Sequence, residues 1–186
     1  VHFRVLEFNS GARWQTAQAK PMLEYGQSWH WTDPTPTGIT DLGAALDLLS
    51  DALEPNNLGP YNYPPVVILL SDGYPTDDWE TALANFNNTP FGRKPGRTIR
   101  AALSVQDADK EVLTRFTGNS EYVVEAKNSE QVVKFLKWAT ITLSQQASKS
   151  RSINLAGDSP GGDSNAPSTA PVIVAPPSMD DDDDVF

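Results

Sequence analysis

The hydrophobic and polar positions at the start of the chain follow the pattern of a β-hairpin. Residues 2–8 (HFRVLEF) alternate in polarity and are rich in β-forming side chains, which predicts a strand. A turn signal follows at Asn9-Ser10-Gly11, and residues 12–18 predict a second strand that pairs with the first. The pattern therefore predicts an antiparallel hairpin.

A helical pattern begins at residue 41, after a loop with several aromatic side chains at residues 21–36. Between Asp41 and Leu53 the apolar side chains recur at helical spacing on one face. Thr40 and Asp41 come directly before these positions, and both residue types cap the N-termini of helices. We therefore expect an amphipathic helix over residues 41–53.

The run Val66-Val67-Ile68-Leu69-Leu70 is continuously apolar and is bounded by Pro64-Pro65 on one side and Ser71-Asp72-Gly73 on the other. A short apolar run between turn residues is typical of a strand that is buried on both faces, as in the middle of a parallel sheet. The sequence therefore predicts a central strand that ends at Asp72.

Strand and helix patterns continue to alternate after this run. Helical spacing predicts helices over residues 77–87, 109–116 and 129–146, and β-forming runs predict strands over residues 98–105 and 121–124. Such alternation predicts an α/β fold of Rossmann-like type, in which helices flank a mostly parallel sheet. The first hairpin adds an antiparallel edge to this expected sheet.

Composition and charge exclude several classes of protein. Hydrophobic residues make up 39% of the 186 residues, which is enough for a core, and the chain has no cysteine for a disulfide, a thiolate metal site or a cysteine nucleophile. No apolar run reaches the roughly 20 residues that span a bilayer. The net charge of −10 disfavours a nucleic-acid partner, because phosphate binding requires a basic surface. We expect a cytoplasmic protein without a membrane or direct nucleic-acid partner.

The last part of the chain has a different composition. Residues 148–178 are rich in Ser, Gly, Pro, Asn and Ala, which predicts a flexible linker. Residues 179–186 (MDDDDDVF) form an acidic tip that resembles the C-terminal tip of bacterial single-stranded-DNA-binding proteins. Such a tip can dock on a partner protein through its last residues, or it can act only as a solubilising tail. The docking residues would be Asp183, Asp184, Val185 and Phe186.

Two oxygen-bearing side chains stand where an open α/β sheet binds its ligands, outside the carboxyl ends of the strands. Asp72 follows the apolar strand, and Thr40 precedes the helix over residues 41–53. Carboxylate and hydroxyl oxygens are hard donors that suit Mg²⁺, Mn²⁺ or Ca²⁺. Either residue alone has a structural explanation, as a helix cap or a turn residue, but the pair in this order suggests a metal site.

Three segments resemble the von Willebrand factor A (VWA) domain. VHFRVLEFNSGARW is similar to the second strand and hairpin of that family, GITDLGAALDLL to its threonine loop and helix, and VVILLSDGYPTDD to its strand that ends in Asp-Gly-x-Pro-Thr-Asp. The resemblance covers a predicted domain over residues 1–147. It is nearest to the TerY-type bacterial proteins, which are associated with tellurium-resistance and stress clusters.

The resemblance implies a metal-ion-dependent adhesion site (MIDAS), in which Thr40 and Asp72 would be metal ligands. VWA domains use such a site to bind a partner protein, whose acidic side chain completes the coordination of Mg²⁺ or, alternatively, Mn²⁺ or Ca²⁺. The neighbouring residues would form the rim that the partner contacts: Asp41, Tyr74, Thr76, Asp77 and Asp78. Asp77 and Asp78 have a second interpretation, as caps of the helix that follows them.

The chain departs from the family pattern in one respect. The family's Asp-x-Ser-x-Ser element, which follows its first strand, is not found before residue 40. We expect either that the sequence is an N-terminally truncated copy without the first strand and helix, or that it is a shortened protein with a degenerate site. Two donors alone would hold the cation weakly. A missing central strand predicts exposed apolar surface that binds a hydrophobic dye.

The sequence favours a binding module over an enzyme. It has no Gly-x-Ser-x-Gly, no lysine-containing phosphate loop and no His-Glu-x-x-His motif, and we assign no catalytic residue. The alternative from another class is a metal-dependent hydrolase, a phosphatase or a nuclease. That alternative would use Asp72, with Asp77 and Asp78 in the same carboxylate site.

Overall fold

The computed structural model describes residues 2–16, 20–21, 32, 39–58, 64–92, 98–106, 108–143 and 145. The chain divides into two compact units. The first comprises Val1–Pro60 and Tyr74–Arg93, and the second comprises Tyr61–Gly73 and Lys94–Phe186. The predictions for the linker at 148–178 and the acidic tip at 179–186 lie outside the described residues, as does nearly all of the loop at 21–36.

The first unit begins with two small antiparallel sheets. Strand β1 (His2–Phe3) pairs with β4 (Lys20–Pro21), and β2 (Leu6–Asn9) pairs with β3 (Gly11–Trp14). The predicted hairpin is therefore confirmed at β2–β3, with shorter strands than expected, and the first predicted strand is split in two. Gly11 permits the tight turn because its backbone has a φ of 104°, which is unfavourable for other residues.

Two helices pack against each other in the first unit. Helix α1 (Leu42–Ala52) agrees with the predicted helix, and α3 (Trp79–Asn88) agrees with the next one. A short helical turn, α2 (Pro55–Leu58), was not expected from the pattern. The two long helices bury the side chains that their spacing places on one face: Leu42, Ala45, Leu46, Ala82, Leu83 and Phe86.

The second unit contains a parallel three-stranded sheet in the order β5-β6-β7. Its strands are β5 (Val66–Ser71), β6 (Ile99–Val105) and β7 (Val123–Ala126). One face of the sheet packs on helix α5 (Ser129–Trp138), with Phe135 fully buried in the shared core. Because parallel strands point the same way, all three carboxyl ends lie at one edge of this sheet.

The other helix of the second unit, α4 (Lys110–Thr117), begins and ends with the signals that the sequence contains. The Asp109 side chain accepts a hydrogen bond from the N–H of Glu111, and Gly118 ends the helix in a left-handed conformation with a φ of 76°. A 3₁₀ turn (Ser120–Tyr122) then leads into β7, so this strand starts two residues later than predicted.

The last predicted helix, over residues 129–146, changes its geometry before its end. The α-helical part stops at Trp138, and residues Ala139–Leu143 form a π-helical turn. The hydroxyl of Thr140 donates to the carbonyl of Leu136 at 2.8 Å, which places a side-chain donor on a backbone acceptor within this stretch. No helix among the described residues is long and apolar enough to cross a membrane.

The position of β5 corrects one prediction. Its apolar sequence predicted a strand buried on both faces in the middle of a sheet, but among the described residues β5 pairs with β6 alone. Val66, Val67 and Ile68 are half-buried, and Leu70 is 37% exposed. The apolar run therefore specifies strand formation correctly, whereas the described pairing places β5 at the edge of the three described strands.

The fold class is as predicted. The chain has a mixed α/β fold with a parallel sheet flanked by helices and an antiparallel hairpin. Within the described part of the chain, the hairpin β2–β3 forms a sheet of its own instead of adding an edge to the parallel one.

Candidate functional site

The loop that carries Thr40 is fixed by hydrogen bonds to Thr76. The N–H of Thr76 donates to the carbonyl of Thr40 at 2.9 Å, and the N–H of Thr40 donates to Oγ1 of Thr76 at 3.1 Å. The same Thr76 hydroxyl donates to Oδ1 of Asp41 over a longer distance of 3.4 Å. Two predicted rim residues and one predicted metal ligand are therefore brought together in the first unit.

Asp77 holds the N-terminus of α1. The N–H of Gly43 donates to its Oδ1 and the N–H of Ala44 to its Oδ2, each at 3.0 Å. A carboxylate at this position also interacts favourably with the positive end of the helix dipole. The alternative interpretation of Asp77 as a cap of the following helix is wrong, because it caps α1 instead.

Asp78 caps the helix that follows it, as the second interpretation of this residue predicted. Its carboxylate accepts a hydrogen bond from the N–H of Thr81 in the first turn of α3, at 3.3 Å. Two consecutive aspartates thus serve two different helices. Tyr74, the remaining rim residue, is 65% exposed.

The side chains of Thr40 and Asp41 do not cap α1, although both residue types favoured that role. Asp41 occupies the N-cap position without a hydrogen bond from its side chain to the helix. The hydroxyl of Thr40 has no hydrogen-bond partner among the described residues, and its side chain is half-buried.

Gly43 is a site residue that the sequence reasoning missed. A Cβ atom at this position would lie 2.8 Å from Oδ2 of Asp77 and 3.2 Å from the carbonyl oxygen of Asp78. The close approach of the Asp77 carboxylate to the helix therefore requires glycine. A glycine at the second position of a predicted helix is the sequence signal, since glycine weakens a helix unless space is needed.

Asp72, the second predicted metal ligand, belongs to the second unit. Its side chain is exposed and follows directly after β5. An open depression of about 270 Å³ at the carboxyl ends of β5 and β6 is lined by Leu70, Ser71, Asp72 and Val105. The hydroxyl of Ser71 donates to the carbonyl of Gly73 at 3.3 Å, which shapes the turn after the strand.

A second serine at this edge was also missed. Ser104 on β6 lies opposite Ser71 on β5 in the parallel register, and its Oγ is buried without a hydrogen-bond partner among the described residues. Ser71 is the last residue of β5 and Ser104 the last but one of β6, and both follow apolar residues, as LLS and ALS show. Within the described ranges no group of three or more His, Asp or Glu side chains is placed to hold a metal ion.

Comparison with known proteins identifies the fold. No protein-family model matches the chain, and no curated protein matches its sequence. Structures of proximal thread matrix protein 1 from the mussel byssus do match in three dimensions. One, with a zinc-occupied MIDAS motif, is 18% identical over 77% of this chain and 36% of that chain, with a TM-score of 0.61. Another is 17% identical over 74% of this chain and 35% of that chain, with a TM-score of 0.59.

These similarities confirm the predicted fold. The chain has a VWA-type fold, although it spans little more than a third of the length of the mussel chains that it matches. At this level of identity the comparison concerns the fold alone. The resemblance to TerY-type proteins is not supported by these structures.

Proposed function

We propose that this chain is a protein-binding module of the VWA type that uses a divalent cation to engage an acidic side chain of its partner. The observation that carries the proposal is the Thr40 hydroxyl, which has no hydrogen-bond partner in the described part of the chain although its loop is fixed at Thr76. A polar side chain without an internal partner, held on a fixed backbone, is preorganised to bind an external ligand.

The oxygen donors on the chain are of the type that a hard cation prefers, but they are few, so the cation should bind weakly. The family resemblance implies Thr40 and Asp72 as oxygen ligands, whereas Mg²⁺ and Ca²⁺ take six or more. Water and the partner's carboxylate would supply the others. When bound, the cation contributes a positive charge with an open coordination position for that carboxylate.

The acidic rim residues should make partner binding depend on a bound cation. The Asp41 carboxylate accepts from Thr76 at the Thr40 loop, the Asp78 carboxylate follows two residues after Thr76, and Tyr74 in the same segment is 65% exposed. Without a cation these carboxylates repel an acidic side chain, so binding of such a partner should depend on the metal. Aromatic side chains such as Tyr74 are common anchors at protein interfaces.

The proposal also covers the identity of the cation, the biological system and the location of this module. We propose Mg²⁺ as the cation, with Mn²⁺ or Ca²⁺ as alternatives, whereas the similar mussel structure has zinc in its MIDAS motif. The bacterial stress or tellurium-resistance system and the cytoplasmic location rest on the sequence resemblance to TerY-type proteins. The docking of Asp183, Asp184, Val185 and Phe186 on a second partner stays a prediction.

Manganese binding tests the proposal directly. The chain should reduce the electron paramagnetic resonance signal of free Mn²⁺ with a Kd of about 10⁻⁴–10⁻³ M, the weak end of oxygen-donor sites. Thr40→Ala and Asp72→Ala should each weaken this binding by at least about tenfold, since even outer-shell changes cost that much. The matched controls Thr81→Ala and Asp47→Asn change exposed residues of α3 and α1 and should leave it unchanged.

A peptide probe extends the test to partner binding. Beads that carry a synthetic glutamate-containing peptide should retain the chain in Mn²⁺ and release it in EDTA. Equal retention in both conditions would contradict the requirement for a cation. Absence of Mn²⁺ binding in the unsubstituted chain would contradict the whole proposal.

A metal-dependent hydrolase is the second candidate, and the exposed Asp72 carboxylate beside an open depression is the observation in its favour. Phosphatase and nuclease substrates assayed with Mg²⁺ or Mn²⁺ distinguish the two functions. Turnover that Asp72→Ala abolishes would favour the hydrolase. We propose that no turnover is found and that the site binds without catalysis.

A further inference from the structure

The first turn of α1 is capped from a distant part of the chain. The first four N–H groups of any helix lack a partner inside the helix. In α1 the N–H of the N-cap residue Asp41 donates to the carbonyl of Asn9 at 2.8 Å and that of Leu42 to the carbonyl of Thr40 at 3.1 Å. The other two, those of Gly43 and Ala44, donate to Asp77, which lies 34 residues after Gly43.

These two N–H groups are the ones that an N-cap aspartate ordinarily takes. A side chain at the N-cap accepts from the second or third residue of the helix. Asp41 stands at the N-cap of α1, and yet the second and third residues, Gly43 and Ala44, donate to Asp77. The local cap is thus displaced by a remote one of the same chemical type.

We propose that Asp77 is a positioning residue that caps α1 in place of Asp41 and so leaves the Thr40 hydroxyl and the Asp41 carboxylate open to a ligand. The inference rests on the proposed function, because it concerns the same binding loop. Asp77 touches neither the cation nor the partner in this account. It acts through the shape of the loop before α1.

The absence of a side chain at Gly43 supports this arrangement. Any Cβ at that position would contact the Asp77 carboxylate at 2.8 Å, so the helix surface is shaped to admit this acid. The neighbouring Asp78 occupies the N-cap of the following helix and acts locally. It accepts from Thr81 in its own helix, at the longer distance of 3.3 Å.

Thr76 provides the second support, because it holds Asp41 away from the helix. Its hydroxyl accepts from the N–H of Thr40 and uses its single hydrogen to donate to Oδ1 of Asp41. The direction of this relay requires Asp41 as an acceptor in the loop. If Asp41 turned to cap the helix, Thr76 would lose that acceptor and Thr40 would lose part of its support.

Removal of Asp77 therefore has a defined structural result. The N–H groups of Gly43 and Ala44 need an acceptor, and the N-cap residue Asp41 stands where a side chain ordinarily supplies one. We expect Asp41 to turn towards the helix in Asp77→Ala, which changes the loop that carries Thr40. The rim then presents a different set of oxygens to a ligand.

A nuclear magnetic resonance experiment without metal tests the capping. Scalar couplings across hydrogen bonds should connect the amide nitrogens of Gly43 and Ala44 to the carboxyl carbon of Asp77 in the unsubstituted chain. In Asp77→Ala they should connect to the carboxyl carbon of Asp41. Couplings to Asp41 already in the unsubstituted chain, or none to any carboxyl carbon in Asp77→Ala, would overturn the inference.

Manganese affinity supplies the second readout. Asp77→Ala should weaken Mn²⁺ binding by about tenfold, as removal of a group that orients a metal ligand does. Asp109→Ala removes another aspartate helix cap, that of α4 in the second unit, and should leave the affinity within about twofold. Asp77→Asn keeps one acceptor oxygen and should therefore restore part of the Mn²⁺ affinity. This variant is used in place of Asp77→Ala if the latter does not fold.

The outcomes separate the two proposals. If the unsubstituted chain binds no Mn²⁺, the metal-dependent function fails, and the couplings still decide whether Asp77 replaces Asp41 as the cap. If Mn²⁺ binds and Asp77→Ala and Asp109→Ala weaken its binding equally, the positioning role of Asp77 is overturned while the function stands. A selective loss in Asp77→Ala, with the couplings moved to Asp41, supports both.

Discussion

The start of α1 and the starts of the helices in the second unit are built differently. Helices α4 and α5 are capped by the residue directly before them: Asp109 accepts from Glu111 at 2.8 Å and Asn128 accepts from Gln131 at 2.9 Å. Helix α1 has an aspartate in the same position, but its cap comes from Asp77. The second unit uses local caps, and the candidate site uses a remote one.

This difference separates the stability of a helix from the geometry of a site. A local cap satisfies N–H groups and affects little beyond its own helix. A remote cap also ties two segments of the chain together, so its loss moves a loop as well as fraying a helix. The caps of α4 and α5 should therefore affect stability alone, and the cap of α1 should affect stability and ligand binding.

The largest effect should come from removing both carboxylates at the start of α1. Asp41→Ala with Asp77→Ala leaves the N–H groups of Gly43 and Ala44 without a charged acceptor, which should lower the free energy of unfolding by about 3 kcal/mol. Urea unfolding followed by circular dichroism measures this value. Asp77→Ala alone should cost about half as much, because Asp41 replaces the lost cap. Equal losses in the single and double variants would show that Asp41 never takes over.

A smaller loss, of about 2 kcal/mol, should follow from Gly43→Ala. Glycine to alanine inside a helix ordinarily stabilises by about 1 kcal/mol, but here the added methyl displaces the Asp77 carboxylate. The sign of the change in the urea midpoint therefore decides between ordinary helix propensity and remote capping. In the Asp77→Ala background the same substitution should become stabilising, and a loss in both backgrounds would attribute the effect to other neighbours.

Removal of a local cap should lower the free energy of unfolding by an intermediate amount and should leave ligand binding unchanged. Asn128→Ala removes the acceptor for Gln131 at the start of α5 and should cost about 1 kcal/mol. Its Mn²⁺ affinity should equal that of the unsubstituted chain, measured on the same preparations. A loss of affinity as large as that of Asp77→Ala would break the distinction between the two kinds of cap.

The smallest effect on stability should come from Asp41→Ala in the otherwise unchanged chain. Asp41 makes no side-chain bond to α1, so its loss should change the free energy of unfolding by less than about 0.5 kcal/mol. Hydrogen exchange at the amides of Gly43 and Ala44 provides the control, since both should stay protected by Asp77. Rapid exchange there would show that Asp41 contributes to the cap after all.

The local features of the fold could be predicted from the sequence because each depends on residues close together in the chain. The spacing of Leu42, Ala45 and Leu46 defines the buried face of α1, and Gly118 ends α4 in the left-handed conformation that glycine permits. The apolar run at Val66–Leu70 likewise defines a strand. In each case the physical cause lies within a few residues.

The remote features could not be predicted in the same way. Asp77 lies beside Asp78, and local rules assign both to the helix that follows them, whereas only Asp78 caps it. The partner of Asp77 lies 34 residues away at Gly43, and only the folded chain determines that contact. The sequence located the segment of the candidate site and proposed Thr40 as a ligand, but not the hydrogen bonds that fix its loop.

The apolar strand β5 also has a consequence for handling the protein. Val66–Leu70 combines high β-propensity with neither charge nor proline, and among the described residues only β6 pairs with it. Such an edge is a template for strand addition between chains, which is the first step towards cross-β assemblies. A lysine introduced at Leu70, which is already 37% exposed, would act as a gatekeeper that slows self-association at high concentration.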